Sequence, residues 1–151
     1  MAGSAYFILE GADGDGLGAS ISTAGNFDDG SSGVQEFIVG TRNGNATGAF
    51  IYSGVSDGAG GLAADGANLS QFTFETSAGL GTGTAVIGGY DFNNDGIADV
   101  AIGAPLADSG IGEVYILYGG NTDLDGSTIT VTDLDGTVGE VIEGLANSDG
   151  S

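Results

Sequence analysis

The sequence contains no cysteine, no histidine and no tryptophan, and its only basic side chain is Arg42. Disulfides, Cys/His zinc sites and catalysis through a histidine base are therefore excluded. With one basic residue against 21 acidic ones, binding to nucleic-acid phosphates or to an anionic membrane surface is not expected. The formal net charge of -20 at pH 7 instead favours cations as ligands.

The abundance of glycine, 32 residues, together with the high net charge is compatible with disorder. However, Leu, Ile, Val and Phe make up about a quarter of the chain, above the roughly 20% typical of disordered sequences. The mean hydropathy is also positive, at +0.18. The apolar residues occur in short runs rich in β-formers, which are too short to span a membrane. These features favour a folded all-β chain with its acids concentrated in turns.

The sequence repeats itself at a spacing of about 65 residues, which shortens to 63 after one loop. The matched segments are 6–10 with 71–75, 18–27 with 83–92, 36–40 with 99–103, and 48–52 with 112–116. A third, partial copy at 140–144 is similar to 7–11. The chain thus holds two full units and a piece of a third.

Each unit contains four short apolar runs bounded by Gly, Asp, Asn and Ser, which is typical of strands. The runs are 19–24, 36–41, 49–53 and 71–75, then 84–89, 99–103, 113–118 and 139–143. Four strands in each tandem unit indicate propeller blades. The sequence therefore predicts an all-β fold of β-propeller blades, with two four-stranded antiparallel blades plus an extra terminal strand.

The repeat also predicts how the chain is divided. We expect an outer strand completing a blade in 1–13, a first blade in 14–76, a second blade in 77–144, and the start of a further repeat or a tail in 145–151. Within the second blade, the polar segment 119–138 is expected to be an excursion before the outermost strand.

The segment 91–99 has the composition of a calcium loop. It carries oxygen-bearing side chains at its first, third, fifth and ninth positions: Asp91, Asn93, Asp95 and Asp99. Ca²⁺ binds six to eight oxygens, and alternate residues of a tight loop can turn toward one ion. The backbone carbonyl of Ile97 is a further candidate ligand. The segment lies between strands and has no glutamate at its twelfth position, so it is not an EF-hand. The alternative is an Asx-rich β-turn without a metal.

The run from Gly88 to Gly119 resembles an FG-GAP repeat of the integrin α-subunit type of β-propeller. The pieces that carry the resemblance are 91–99, 100–105 and 112–119. It implies that the loop joins the first two strands of a blade and binds Ca²⁺ through Asp91, Asn93, Asp95, Asp99 and the carbonyl of Ile97. Through the internal repeat, both units are expected to be FG-GAP-like blades.

The corresponding loop of the first unit, residues 26–36, is two residues longer and lacks the central aspartate. Asn26, Asp28 and Glu36 occupy plausible ligand positions there. A second Ca²⁺ site and a solvated polar loop are both compatible with this segment.

These features indicate a binding protein and not an enzyme, because no acid stands out as a catalytic group. FG-GAP repeats serve adhesion and protein interaction in integrins and in bacterial surface or secreted proteins. We therefore expect a calcium-binding module for extracellular adhesion or protein–protein interaction, located outside the cell or at its surface.

The alternative function is a structural subunit of a self-assembling extracellular ring, fibre or layer. Two blades alone would leave apolar faces and sheet edges open. The expected partner is another protein or the chain itself, in a homo-oligomer or a larger propeller assembly. Nucleic acid and direct membrane insertion are not expected.

Overall fold

The structure, a computed structural model, describes residues 9, 13–28, 35–42, 47–52, 70–120 and 127–146. These residues form nine strands, one turn of α-helix and one turn of 3-10 helix. The strands are β1 Ser20–Gly25, β2 Glu36–Gly40, β3 Thr47–Tyr52, β4 Ser70–Glu75, β5 Ala85–Tyr90, β6 Asp99–Ala104, β7 Glu113–Leu117, β8 Ser127–Thr130 and β9 Gly139–Glu143. The helical turns are α1 Ala107–Gly110 and the 3-10 turn Val131–Asp133. The predicted all-β class is confirmed.

The strands form two blade-like sheets. Sheet 1 has the order β1-β2-β3-β4-β8, and sheet 2 has the order β5-β6-β7-β9. Neighbouring strands are antiparallel except for β4 and β8, which run parallel. Each of the eight strands expected from the repeat is present with its ends shifted by a few residues. The described residues form these two sheets and not a closed propeller.

Strand β8 was not predicted and corrects the expected four-stranded first blade. The segment 119–138 follows β7 of sheet 2 but is not only a polar excursion, because its residues Ser127–Thr130 pair with β4 of sheet 1. Residues alternate between the faces of a strand, and Ile129, opposite Phe74, is buried at 1% exposure. A local signal for this strand is present in the sequence, because Thr128, Ile129, Thr130 and Val131 are β-branched and alternate polar with apolar side chains.

The core lies between the two sheets, which contact each other mainly through β1 and β5. We call the sides of the sheets that meet there the near faces, and the opposite sides the far faces. The near face of sheet 1 contributes Ile38, Ala49, Ile51, Phe72, Phe74 and Ile129, and that of sheet 2 contributes Val100, Ile102, Ala104, Tyr115 and Leu117. Rings cross the interface where Phe74 meets Tyr115, with centroids 5.1 Å apart. Burial of these side chains is the main stabilising contribution to the pair of sheets.

The sheet registers correct the repeat alignment of the third strands by one residue. Gly40 pairs with Ala49 in sheet 1, and Gly103 pairs with Val114 in sheet 2. Ala49 is therefore equivalent to Val114, not to Glu113. The correction matters because a one-residue shift moves every side chain of a strand to the other face.

The innermost strands approach each other closely because small residues line them. Ser20 Oγ donates a hydrogen bond of 2.7 Å to the carbonyl of Gly83. A Cβ atom at Gly40 would collide with that same carbonyl, and a Cβ atom at Gly88 would lie 2.6 Å from the carbonyl oxygen of Thr23. Small residues are required on these strands because backbone packs on backbone there.

Two expectations remain predictions. Most of the outer strand expected in 1–13 and most of the tail expected in 145–151 lie outside the described residues.

The described residues also contain no helix long and apolar enough to cross a membrane.

Candidate metal centre

The loop between β5 and β6 gathers three of the predicted ligands around one backbone amide. The N–H of Asp95 donates to Asp91 Oδ1 at 3.1 Å and to Asn93 Oδ1 at 3.0 Å. Asn93 Nδ2 donates to Asp95 Oδ2 at 2.8 Å. All three side chains are exposed. Asp91, Asn93 and Asp95 therefore lie together on one solvent-accessible side of the loop.

The loop backbone is bent by residues with left-handed conformations. Asn94 has φ 61° and Gly96 has φ 91°, and glycine adopts this region without a steric penalty. The bend lets the N–H of Gly96 donate to Asp91 Oδ2 at 2.9 Å and that of Ile97 donate to Asp95 Oδ1 at 2.8 Å. Gly96 thus permits the turn that brings these two amides to the carboxylates of Asp91 and Asp95.

Asp99, the fourth predicted side-chain ligand, has a different environment. It is fully buried. Its Oδ2 accepts hydrogen bonds from the N–H groups of Phe92, at 2.6 Å, and Asn93, at 3.4 Å. Its Oδ1 accepts a 2.9 Å hydrogen bond from the N–H of Gly119. Asp99 thus ties the start of the loop to the end of β7.

Sequence reasoning missed this structural role of Asp99. The contact with Gly119 spans 20 residues, so no local spacing reveals it. The Gly119-Gly120 pair after β7 is the available signal, because a Cβ atom at Gly119 would collide with the carbonyl of Ala98. Paired glycines after a strand indicate a close approach of backbone.

The donor chemistry of the loop fits a hard cation. Asp91, Asn93 and Asp95 offer only oxygen donors, which Ca²⁺ prefers. The same oxygens satisfy the loop's own amides, as in an Asx-turn. Among the described residues, no three acidic side chains form a metal-binding cluster. The ligand role of Asp91, Asn93, Asp95, Ile97 and Asp99 therefore stays a prediction.

The second candidate loop follows β1 and ends at Glu36. Glu36 is 1% exposed, and its Oε2 accepts a 2.7 Å hydrogen bond from the N–H of Phe27. Its Oε1 is buried and has no hydrogen-bond partner among the described residues. Burial raises the pKa of Glu36, the Phe27 amide opposes this, and the negative charge of Asp28 adds to the increase. A buried carboxylate oxygen without a partner is costly, and a cation would satisfy it.

The two candidate loops are neighbours. The N–H of Ala98 donates to the carbonyl of Asn26 at 3.4 Å, and the N–H of Gly120 donates to the carbonyl of Phe27 at 2.7 Å. Both loops therefore lie at the same end of the two sheets and share backbone contacts. An ion in either loop would stabilise the junction between the sheets.

The comparisons with known proteins identify one repeat. The family model of the FG-GAP repeat matches residues 82–117. No curated protein shows significant similarity to the chain. The matched segment begins just before β5 and ends with β7, so it contains the Asp91–Asp99 loop and three strands of sheet 2. FG-GAP repeats are typical of β-propeller-type modules for protein interaction. Residues 82–117 of this chain are an FG-GAP repeat.

Proposed function

We propose that the chain is a calcium-binding module of the β-propeller type that acts in extracellular adhesion or protein–protein interaction. Ca²⁺ is held in the Asp91–Asp99 loop and stabilises the junction of the two sheets. The observation that supports this is the convergence of Asp91 and Asn93 oxygens on the N–H of Asp95, within the FG-GAP repeat. The exposed side chains of Asp91, Asn93 and Asp95 thus hold several oxygen atoms within one short loop, and oxygen atoms are the ligands that Ca²⁺ prefers.

The charge of the chain supports the same proposal. With 21 acids and one base, the loop carboxylates have little intramolecular compensation. Bound Ca²⁺ would reduce the repulsion between Asp91 and Asp95, which share one short loop. Because the ion binds only the folded loop, its binding free energy adds to the stability of the fold.

A calcium titration of the melting temperature tests the proposal. At a free calcium concentration about 100 times the Kd, binding stabilises the fold by about 2.7 kcal/mol. For a chain of this size, that corresponds to an increase of about 5–10 °C over the value in chelator. Isothermal titration calorimetry on the same samples gives the stoichiometry.

Two matched variants identify the site. Asp95→Asn keeps an oxygen to accept the Ile97 N–H but removes the charge, so we expect the calcium-dependent increase to be lost. Asp135→Asn is the control, because Asp135-Gly136 is a similar exposed Asx-turn in which Asp135 accepts from the Thr137 N–H at 2.8 Å. We expect this control to keep the full calcium response. Equal responses of the wild type and Asp95→Asn would reject the site.

We also propose Asn26, Asp28 and Glu36 as ligands of a second Ca²⁺. The support is the buried Glu36 Oε1 that lacks a hydrogen-bond partner among the described residues. Calorimetry that gives two ions per chain for the wild type and one for Glu36→Gln would support it. A stoichiometry of one in both would contradict it.

A second function, a structural subunit of an extracellular ring, fibre or layer, is favoured by the apolar far faces of the sheets. Ile21 on sheet 1 and Ile87 on sheet 2 are 69% and 45% exposed. In this function, calcium would control assembly size. Light scattering in calcium and in chelator separates the two functions, because a module that binds another protein stays the same size in both.

A further inference from the structure

The far face of sheet 2 is a largely apolar surface that the described residues leave uncovered. Residues Ala85, Ile87, Ala101, Gly103, Val114 and Ile116 occupy it on β5, β6 and β7. Strand β9 continues the face with Ile142 opposite Val114, and Glu140 opposite Ile116 puts a charged side chain at its outer edge. Ile87 and Val114 are 45% and 38% exposed. An open depression of about 410 Å³ lies beside Gly103. In a chain with 21 acids, such a surface indicates an interaction site.

The internal repeat shows which surface covers this position in sheet 1. Gly103 and Gly40 are equivalent, since Gly103 pairs with Ala85 and Gly40 pairs with Ser20. Their carbonyls also accept equivalent hydrogen bonds, from the N–H of Gly83 at 2.9 Å and from that of Gly18 at 3.1 Å. The two glycines therefore have the same place in their sheets.

The equivalent positions differ in what lies over them. At Gly40 the carbonyl of Gly83 fills the space, so that a Cβ atom would collide with it. At Gly103 a Cβ atom would meet no described residue nearer than Ala85, whose oxygen and Cβ would lie 3.6 and 3.7 Å away. The described residues thus form no contact at Gly103 like the one that joins the sheets at Gly40.

The group that fills the space at Gly40 also has an uncovered equivalent. Gly83 and Gly18 each precede an inner strand and have φ 86° and 85°. Gly83 packs against Gly48 and Gly40, whereas no described residue other than its chain neighbours comes within 4 Å of the Cβ position of Gly18. Both halves of a second sheet–sheet contact are therefore exposed on one chain, at Gly103 and at Gly18.

We propose that the far face of sheet 2 around Gly103 binds the Gly18 turn and strand β1 of a second copy of this chain. The inference rests on the second proposed function, a self-assembling subunit, and names the two surfaces that meet. The contact is head to tail, because a different surface of each copy takes part. Such contacts produce a ring if they close and a filament if they do not.

The sequence places the contact at the beginning of β1. In the proposed contact between copies, Ala85 occupies the position that Ser20 has in the contact within the chain. Ala85 has no hydroxyl to donate to the carbonyl of the partner's glycine turn, so apolar contact replaces that hydrogen bond. Thr23 stands where the internal contact has Gly88, so the end of β1 cannot approach as closely. On the far face of sheet 1, Val39 and Tyr52 are already buried, while Ile21 is 69% exposed. The open part of that face is therefore β1.

Sedimentation velocity over the micromolar range tests the proposal at physiological ionic strength, where repulsion between the acidic copies is screened. We expect the wild type to sediment faster as its concentration rises. Gly103→Val fills the space that a partner would occupy, while its Cβ has ordinary contacts within the chain. We expect it to weaken self-association about tenfold or more with little change in melting temperature. Ala78→Val, at an exposed turn, is the matched control and should associate like the wild type.

Crosslinking tests the orientation, and the absence of native cysteine makes it specific. We expect a short bis-maleimide to link Ile21→Cys chains to Ile87→Cys chains. Samples that contain only Ile21→Cys or only Ile87→Cys should give no crosslinked dimer above background. Efficient self-linking of Ile87→Cys would show a symmetric contact and overturn the proposal, and this result does not depend on whether Gly103→Val folds.

The calcium proposal and this inference fail separately. A wild type that stays monomeric throughout the concentration range overturns the docking of a second copy, whatever its calcium response. A wild type that associates without any calcium-dependent change in melting temperature keeps the docking and rejects the metal site. Association of Gly103→Val equal to that of the wild type would also overturn the inference.

Discussion

Glu36 and Asp99 are equivalent carboxylates at the start of the second strand of each sheet. Glu36 accepts the N–H of Phe27, and Asp99 accepts the N–H of Phe92. The second oxygen of Asp99 is satisfied by the N–H of Gly119, whereas that of Glu36 has no partner among the described residues. At this position, both carboxylate oxygens accept hydrogen bonds in sheet 2, whereas in sheet 1 one of the two buried oxygens accepts none from the described residues.

Because both oxygens of Asp99 accept hydrogen bonds, we expect Asp99→Asn to lower the free energy of unfolding strongly. The variant replaces an acceptor oxygen by an amide that donates, so at least one buried N–H group loses its partner. We expect the free energy of unfolding to fall by about 3 kcal/mol. Urea denaturation in chelator should show this loss, because the lost hydrogen bonds do not involve the ion, and the loss of a proposed Ca²⁺ ligand should add to it in calcium. A loss confined to calcium would show that Asp99 acts only as a ligand.

Because one buried oxygen of Glu36 has no hydrogen-bond partner among the described residues, we expect Glu36→Gln to stabilise the fold in chelator, whereas Asp99→Asn destabilises it. The amide can still accept the Phe27 N–H, and it removes a buried charge, so we expect a higher melting temperature than that of the wild type at pH 7. In calcium, we expect this advantage to shrink or reverse, because the ion would compensate the native carboxylate.

The pH dependence of the Glu36→Gln effect follows from the raised pKa of Glu36. Because the folded pKa lies above the unfolded one, the protonated form favours folding, and stability is lost as the pH rises through the folded pKa. In chelator, the difference in melting temperature between variant and wild type should therefore narrow as the pH falls from the folded pKa toward the unfolded one. A difference that stays constant down to the unfolded pKa would contradict the burial of a charged Glu36.

The sequence was sufficient to predict the two blades because their strands are short apolar runs bounded by turn residues. Each run can be recognised from its own residues, and the repeat at about 65 residues presents the same series of runs twice. Strand β8 was missed although Thr128, Ile129, Thr130 and Val131 form an alternating β-branched run. Its pairing with β4, which places Ile129 opposite Phe74 in the core, joins distant segments and follows from no local pattern.

The candidate metal loop was predicted in composition but only partly in arrangement. The spacing of Asp91, Asn93 and Asp95 within a tight turn is local, so their proximity followed from the sequence. Asp99 was assigned as one more ligand, yet its carboxylate is also the acceptor for Gly119, which lies beyond β6 and β7. Roles that depend on such distant backbone groups are not visible in loop spacing.

The pairing of β8 predicts the effect of Ile129→Ala. Ile129 is 1% exposed and opposes Phe74 in the parallel register. Truncation leaves a cavity, and we expect the free energy of unfolding to fall by about 2–5 kcal/mol. Thr128→Ala, at the exposed neighbouring position, is the control and should change it by less than about 1 kcal/mol. Hydrogen exchange of the β8 amides should increase in the first variant only.

Asp133 gives a local test of the turn that follows β8. Its Oδ2 accepts from the N–H of Thr130 at 2.7 Å and from the Thr130 hydroxyl at 2.8 Å. These hydrogen bonds lower the pKa of Asp133. The stabilisation is present above the unfolded pKa and is lost as the pH falls through the folded one. An NMR titration of the carboxyl carbon should show the low pKa, and Thr130→Val should raise it. An unchanged pKa in that variant would exclude the hydroxyl as a cause.

Gly40 and Gly103 are equivalent in the repeat but should respond oppositely to alanine. At Gly40 the new Cβ would collide with the carbonyl of Gly83, so the sheets must separate, and we expect a loss of about 1–3 kcal/mol. At Gly103 the new Cβ meets only Ala85 at ordinary distance, and the reduced freedom of the unfolded chain should stabilise by about 0.4–1 kcal/mol. Chemical denaturation of both variants at concentrations where the chain is monomeric measures the contrast. A comparable loss at Gly103 would mean that the far face of sheet 2 is already covered within a single chain, and the surface offered to a second copy would not exist.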